Sequence, residues 1–148
     1  MKTLRLMLIC GVLLTLSPPA LAADIFRLWH GVGIQGAQSE WSTEVDLRKT
    51  VPTVIYPSLK CAGVWQPLGV QNGVHEFREV IDVGRDICID GYVRVYLLNK
   101  KRMAIEYYQF KGDTKIAKSV VFPGPHHEDT KNYMIGVTRK FIASKAKQ

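Results

Sequence analysis

Along most of the chain, apolar and polar residues alternate with a period of two. Trp41, Thr43, Val45 and Leu47 alternate with Ser42, Glu44, Asp46 and Arg48. Val93, Val95 and Leu97 alternate with Tyr92, Arg94 and Tyr96, and Met103, Ile105 and Tyr107 with Ala104, Glu106 and Tyr108. Successive side chains of an extended strand point to opposite faces, so this pattern predicts antiparallel strands with one buried face. Turn signals separate the runs: Gln71-Asn72-Gly73, Asp82-Val83-Gly84, Asp90-Gly91 and Lys111-Gly112-Asp113. Together they predict about eight strands, over 25–35, 41–49, 53–58, 63–70, 74–82, 92–98, 103–110 and 115–122. The short connections imply an all-β, single antiparallel meander. Such a sheet closes into a small barrel or splits into a sandwich; closure removes exposed edges, and the barrel is the expectation.

Phe122-Pro123-Gly124-Pro125 ends the alternation, so the β domain is placed at 23–125 and a basic C-terminal extension at 126–148. In that extension Ile135, Thr138, Phe141 and Ile142 fit one face of a short helix. A final strand through 134–138 fits equally well, and the pattern alone does not separate the two.

The amino end changes the picture of where the protein works. Lys2 and Arg5 precede an apolar run from Leu6 to Leu16, and Ala20-Leu21-Ala22 follows Pro18-Pro19. A basic head, an apolar core of about 7–15 residues and a small-x-small exit form the pattern of a cleaved secretory signal over 1–22. The run is too short for a bilayer span of about 20 residues, so no membrane anchor is expected after cleavage. The periplasm or the extracellular space follows as the expected compartment. Cys10 leaves with the signal, and Cys61 and Cys88 remain, 27 residues apart. An even pair in an oxidising compartment predicts a disulfide. Neither cysteine lies in a C-x-x-C or at zinc spacing to a histidine.

Loss of Lys2 and Arg5, with no acid, takes the formal charge from +7 to +5. Export and the lack of a dense basic block with interleaved aromatics argue against nucleic acid as partner. The densest basic cluster, Asn99-Lys100-Lys101-Arg102, reads as a turn between strands.

No catalytic, metal or cofactor motif is expected. Gly31-Val32-Gly33-Ile34-Gln35-Gly36 has the letters of a dinucleotide loop, but Ser39-Glu40-Trp41 leads into another strand where that loop needs a helix. His126-His127-Glu128-Asp129 is dense in ligand-type residues and reads as a solvated loop, because adjacent side chains on extended backbone diverge. The alternation in Val74 to Ile81 is more informative. It puts Glu79 and His75 on the face of Phe77 and Ile81, and a carboxylate facing an apolar interior needs a cation or donors. Arg85 and Arg94 are the partners considered. Trp29, Trp41, Tyr56, Trp65, Tyr96, Tyr107 and Tyr108 all lie in strand patterns, where rings either fill a small barrel or line a void for one ligand. From these groups Trp29, Tyr56, Trp65, Glu79, Arg94 and Tyr108 are the candidate ligand-contacting residues.

Tyr56-Pro57-Ser58-Leu59-Lys60-Cys61-Ala62-Gly63, Phe77-Arg78-Glu79 and Gly84-Arg85-Asp86-Ile87-Cys88-Ile89-Asp90-Gly91 form the pattern Y-P-S-L-x-C-x-G, F-x-E, G-x-x-x-C-x-D-G. It resembles that of small exported bacterial domains, and Gly31 to Gln35 with Trp41-Ser42 is also similar. The resemblance implies a disulfide-linked, calycin-like β domain and carries no activity.

The expected function is therefore non-enzymatic binding of a protein or small-molecule partner in the cell envelope or outside the cell. One form is a carrier with a cavity lined by Trp and Tyr. Another is an inhibitor or immunity protein that blocks an envelope-acting enzyme. Periplasmic lysozyme inhibitors share the size, disulfide and β content, but their serine-glycine-aromatic loop is not found here. A third is a hydrolase built on Glu79, His75 and Asp90, which requires two carboxyls about 5–10 Å apart with the acid's pKa raised.

Overall fold

The structure is a computed structural model that describes residues 25–125 and 127–146; the secretory signal expected at 1–22 lies outside the described residues. Eight strands run in chain order: β1 (Leu28–Gln35), β2 (Ser39–Asp46), β3 (Thr53–Tyr56), β4 (Cys61–Gln71), β5 (Val74–Val83), β6 (Gly91–Asn99), β7 (Arg102–Tyr108) and β8 (Lys115–Pro123). Each pairs antiparallel with the next, and β8 returns to β1 with Val32 opposite Val120, so the sheet is a closed barrel and not a sandwich.

Strand parity sets the interior. Trp29, Val45, Val54, Trp65, Ile81, Val93, Val95, Met103, Ile105 and Val121 belong to one contiguous core. The β4–β5 hairpin turns on Asn72 and Gly73, both at positive φ (52° and 76°), the backbone that a two-residue hairpin of matching twist requires. Pro67, which has no N–H for the ladder, falls at a register shift in β4.

β1 is buried on both faces, and its glycines face inward. A Cβ at Gly33 would overlap the Trp41 indole, so Gly33 leaves the space that Trp41 occupies inside the barrel. Gly33→Ala is expected to cost about 1–3 kcal/mol through overpacking and to shift the emission of Trp41. Urea denaturation followed by tryptophan fluorescence tests this; an unchanged midpoint would mean that the ring swings clear freely.

The C-terminal extension forms a helix, α1 (Lys131–Lys145), and not a ninth strand. It lies outside the barrel across β1 and β8. Met134 packs with Val32 and Ile34, and Phe122, Ile135 and Ile142 flank them. Thr138 Oγ1 accepts the Val120 N–H at 3.2 Å and donates to the Val32 carbonyl at 3.4 Å. No helix among the described residues is long and apolar enough to cross a membrane.

Two ends result. One carries Ile25, the β2–β3 connection and the β4–β5 hairpin. The other, here called the open end, carries the turns at 36–38, 57–60 and 109–114 and the loop at 84–90. Cys61 and Cys88 are joined there, with their Cα atoms 6.3 Å apart. The bond ties the 84–90 loop to the start of β4.

Candidate functional site

A cavity of about 280 Å³ opens at this end of the barrel. Its walls include Trp41 of β2, Tyr56 of β3, Ile81 of β5, Tyr107 of β7 and Ala117 of β8, together with Ile87, Cys88 and Ile89 of the disulfide-tied loop. Ile87 and Ile89 are each 61% exposed and give the mouth an apolar rim. The size lies near the lower end of small-molecule sites, which suits a ligand of about one ring.

Glu79 lies at the floor, 6% exposed, where the parity of β5 sends it inward between Phe77 and Ile81. Both of its hydrogen-bond donors reach the same oxygen: Tyr56 Oη and, at 2.9 Å, Trp65 Nε1 donate to Oε1. Oε2 borders the space beside Gly91, where a Cβ would come within 3.7 Å of it. Trp65 is fixed in turn against Phe77, with ring centroids 5.4 Å apart. Burial pushes the Glu79 carboxyl above the usual carboxylate range. The donors from Tyr56 and Trp65 pull it down in part, and the charge of Asp90 adds to the rise.

Tyr107 Oη and Thr43 Oγ1 are buried in the same interior, where the Tyr107 hydroxyl interacts with Thr43, Tyr56 and Trp41. The Tyr107 ring stands 5.8 Å from Trp41 and 6.5 Å from Tyr56, centroid to centroid. Burial raises the pKa of both tyrosines well beyond neutrality, so they act as neutral hydroxyls.

Asp90 lines the same cavity but is held otherwise. Its Oδ1 accepts the Ile81 N–H at 2.9 Å and pairs with Arg85 at 3.3 Å. The Ile81 N–H, aided by Arg85, keeps it ionised below the ordinary aspartate range against the effect of burial. Arg85 also donates to the Ile81 carbonyl. It therefore pins the loop, and it does not serve Glu79 as the sequence had suggested. Arg94 does not serve Glu79 either: it faces outward on β6 and pairs with Glu76 at 3.6 Å. The inward Glu79 is satisfied by neutral donors, not by a cation.

Of the residues singled out for ligand contact, the structure places Tyr56, Glu79 and Tyr108 on the cavity wall and Trp65 behind Glu79. Tyr108 sits at the mouth, where its hydroxyl donates to Glu106 at 2.9 Å on the outer face. Trp29 is elsewhere, fully buried and bonded to the Ile25 carbonyl at 2.8 Å. Trp41 and Tyr107 were not in that set. Strand parity could have found them, because Trp41 alternates with Thr43 and Val45, and Tyr107 with Met103 and Ile105.

Glu79, His75 and Asp90 do not come together as a triad. His75 lines a separate hollow of about 200 Å³ at the other end, beside Phe26. His126 lies outside the described residues. The His127 ring is 6.4 Å from that of His30, whose Nδ1 is hydrogen-bonded to the Gly124 carbonyl at 2.8 Å. Among the described residues no group of three or more His, Cys, Asp or Glu side chains is arranged to hold a metal ion.

The raised pKa of Glu79 has a consequence for stability. The folded protein holds this proton more tightly than the unfolded chain, whose glutamate titrates near about 4.3. The contribution of Glu79 is thus complete below that value and falls away as pH rises through the folded-state pKa. Glu79→Gln keeps an acceptor for Tyr56 and Trp65 and cannot ionise. The melting temperature of Glu79→Gln relative to wild type is expected to climb between pH 4 and pH 8. Groups shifted the other way, such as Asp46, Glu76 and Asp90, are common to both proteins and largely cancel. Parallel curves across that range would contradict a raised Glu79 pKa.

Comparison of the chain with protein-family models, curated proteins and solved structures finds no match.

Proposed function

We propose that the chain is an exported, non-enzymatic binding protein that holds a small amphipathic molecule in the open end of its barrel. The observation that carries this reading is the combination, in one cavity, of apolar walls and a few convergent buried polar groups. Glu79 Oε2, which receives neither of the carboxyl's two donors, borders that space. Leaving such an oxygen without a donor costs about 1–3 kcal/mol, a cost that a ligand reaching the floor would recover. Export is supported by the amino-terminal signal pattern and by the Cys61–Cys88 bond. A binding role is favoured over hydrolysis because the Asp90 carboxylate is committed to the Ile81 N–H and Arg85.

The test is an amide NMR titration of ¹⁵N-labelled protein with 2-phenylethanol. Shifts are expected at the Trp41 indole, Gly91 and Ala117, all at the open end. Ala117→Leu, which puts three more carbons into the cavity, is expected to weaken binding at least fivefold. Shifts spread over the surface, or no effect of Ala117→Leu, would count against the cavity as the site.

One observation favours a second reading, an inhibitor that inserts a loop into an enzyme cleft. The 84–90 loop carries two exposed isoleucines and is held at Cys88 and Arg85. Under that reading Ile87→Asp with Ile89→Asp would abolish capture of an envelope enzyme and leave the melting temperature unchanged.

A further inference from the structure

The charge of the cavity is opposite to that of the protein. The full chain is formally +7, yet the cavity wall carries two acids, Glu79 and Asp90, and no Lys, Arg or His among the described residues. An anionic ligand would meet the Glu79 carboxyl with no cation on the cavity wall to offset it, which argues against fatty acids, phosphates and other acids. Asp90 already has Arg85 at 3.3 Å, whereas Glu79 has only neutral donors, and both of these fall on Oε1. The rings of Trp41, Tyr56 and Tyr107 stand around the same space, with neighbouring centroids 5.8 Å and 6.5 Å apart. A carboxyl lacking a cation inside a set of aromatic faces is the environment that attracts an organic ammonium group, through charge pairing and cation–π attraction.

Resting on the cavity-binding reading above, we infer that the ligand is a small amphipathic amine, its ammonium against Glu79 Oε2 and its apolar body between Ile81, Ala117 and the isoleucine rim. The groups that face Glu79 are Tyr56 from β3, Tyr107 from β7 and Asp90 from the loop before β6; the tyrosines stay neutral and Asp90 stays charged. Glu79 is thus the group that changes state. Whatever fraction of Glu79 is protonated in the free protein gives up its proton to solvent on binding, and the complex holds one ammonium–carboxylate pair. Binding therefore releases up to one proton per ligand and strengthens as pH rises, until the free amine loses its own proton.

Three single-ring probes of matched size separate the possibilities by calorimetry: 2-phenylethylamine, 2-phenylethanol and phenylacetate. The amine is expected to bind at least tenfold more tightly than the alcohol, with phenylacetate weakest. Its measured heat should vary with the ionisation enthalpy of the buffer, as proton release requires. Glu79→Gln should remove the amine preference and the buffer dependence, and its circular-dichroism spectrum and melting curve report that the variant is folded. Asp90→Asn should weaken the amine by less than Glu79→Gln does. If the alcohol binds as tightly as the amine, or if Glu79→Gln retains the preference, the amine assignment falls and the cavity reading stands. If none of the three probes binds, both fall.

Discussion

Trp65→Ala is expected to lower the stability of the folded barrel by about 3–5 kcal/mol, the range for removing a large buried aromatic side chain. That is a large part of the roughly 5–15 kcal/mol that holds an ordinary domain together. Two losses combine. Trp65 is fully buried and packs against Phe77, so truncation opens a void in the centre of the barrel. Its Nε1 is also one of two donors to Glu79 Oε1, so the carboxyl loses support at the same time. Trp65→Phe separates the two. It keeps much of the ring volume and loses only the donor, for an expected cost of about 1–3 kcal/mol. It should also push the Glu79 pKa further up, because the N–H favours the ionised form. Urea denaturation of both variants decides the matter: equal losses would place the whole effect in the hydrogen bond and refute the packing account.

Removing the disulfide through Cys61→Ala with Cys88→Ala should cost about 3–4 kcal/mol, as expected for releasing the closure of a loop of this length in the unfolded chain. The cysteines are 27 residues apart and enclose β4, β5, the turn between them and the 84–90 loop as far as Cys88. The effect extends to the cavity, because Cys88 and its neighbours Ile87 and Ile89 form part of the wall. The crossing is tight as well. Gly84 sits at φ +76°, and a Cβ there would lie 2.8 Å from the Lys60 carbonyl oxygen and 2.9 Å from Cys61 Sγ. A drop in melting temperature on adding reductant to wild type, with none in the double variant, checks that the bond is the source. If the double variant melts with the wild type, the loop is held by Arg85 and Asp90 alone.

Much of the site was legible residue by residue. The alternation of Phe77, Glu79 and Ile81 was enough to turn Glu79 inward, since a period of two leaves a strand residue no third direction. The identity of its partners was not legible. Tyr56 and Trp65 lie 23 and 14 residues before it, on strands whose register depends on the whole closed sheet. The cations that the sequence offers, Arg94 and Arg85, do not serve Glu79. Arg94 has the opposite parity to Val93 and Val95 and faces outward, and Arg85 is taken up by Asp90 and the Ile81 carbonyl. Trp29 shows the reverse limit. Its inward parity was readable, but its distance from the open end was not.

The amino-acid sequence alone determined the strand count, the order of turns, the pairing of two cysteines and which face of each strand is apolar. All of these are local or combinatorial: they follow from side-chain alternation, from turn residues and from there being only two cysteines among the described residues. The fate of the tail was decided only by tertiary structure. Its pattern suited a strand as well as a helix, but pairing of β1 with β8 uses the last free sheet edges, so a ninth strand has nothing to join. What closure leaves uncovered is the outer apolar face of Val32, Ile34 and Phe122, and a helix carrying Met134, Ile135, Thr138 and Ile142 buries it.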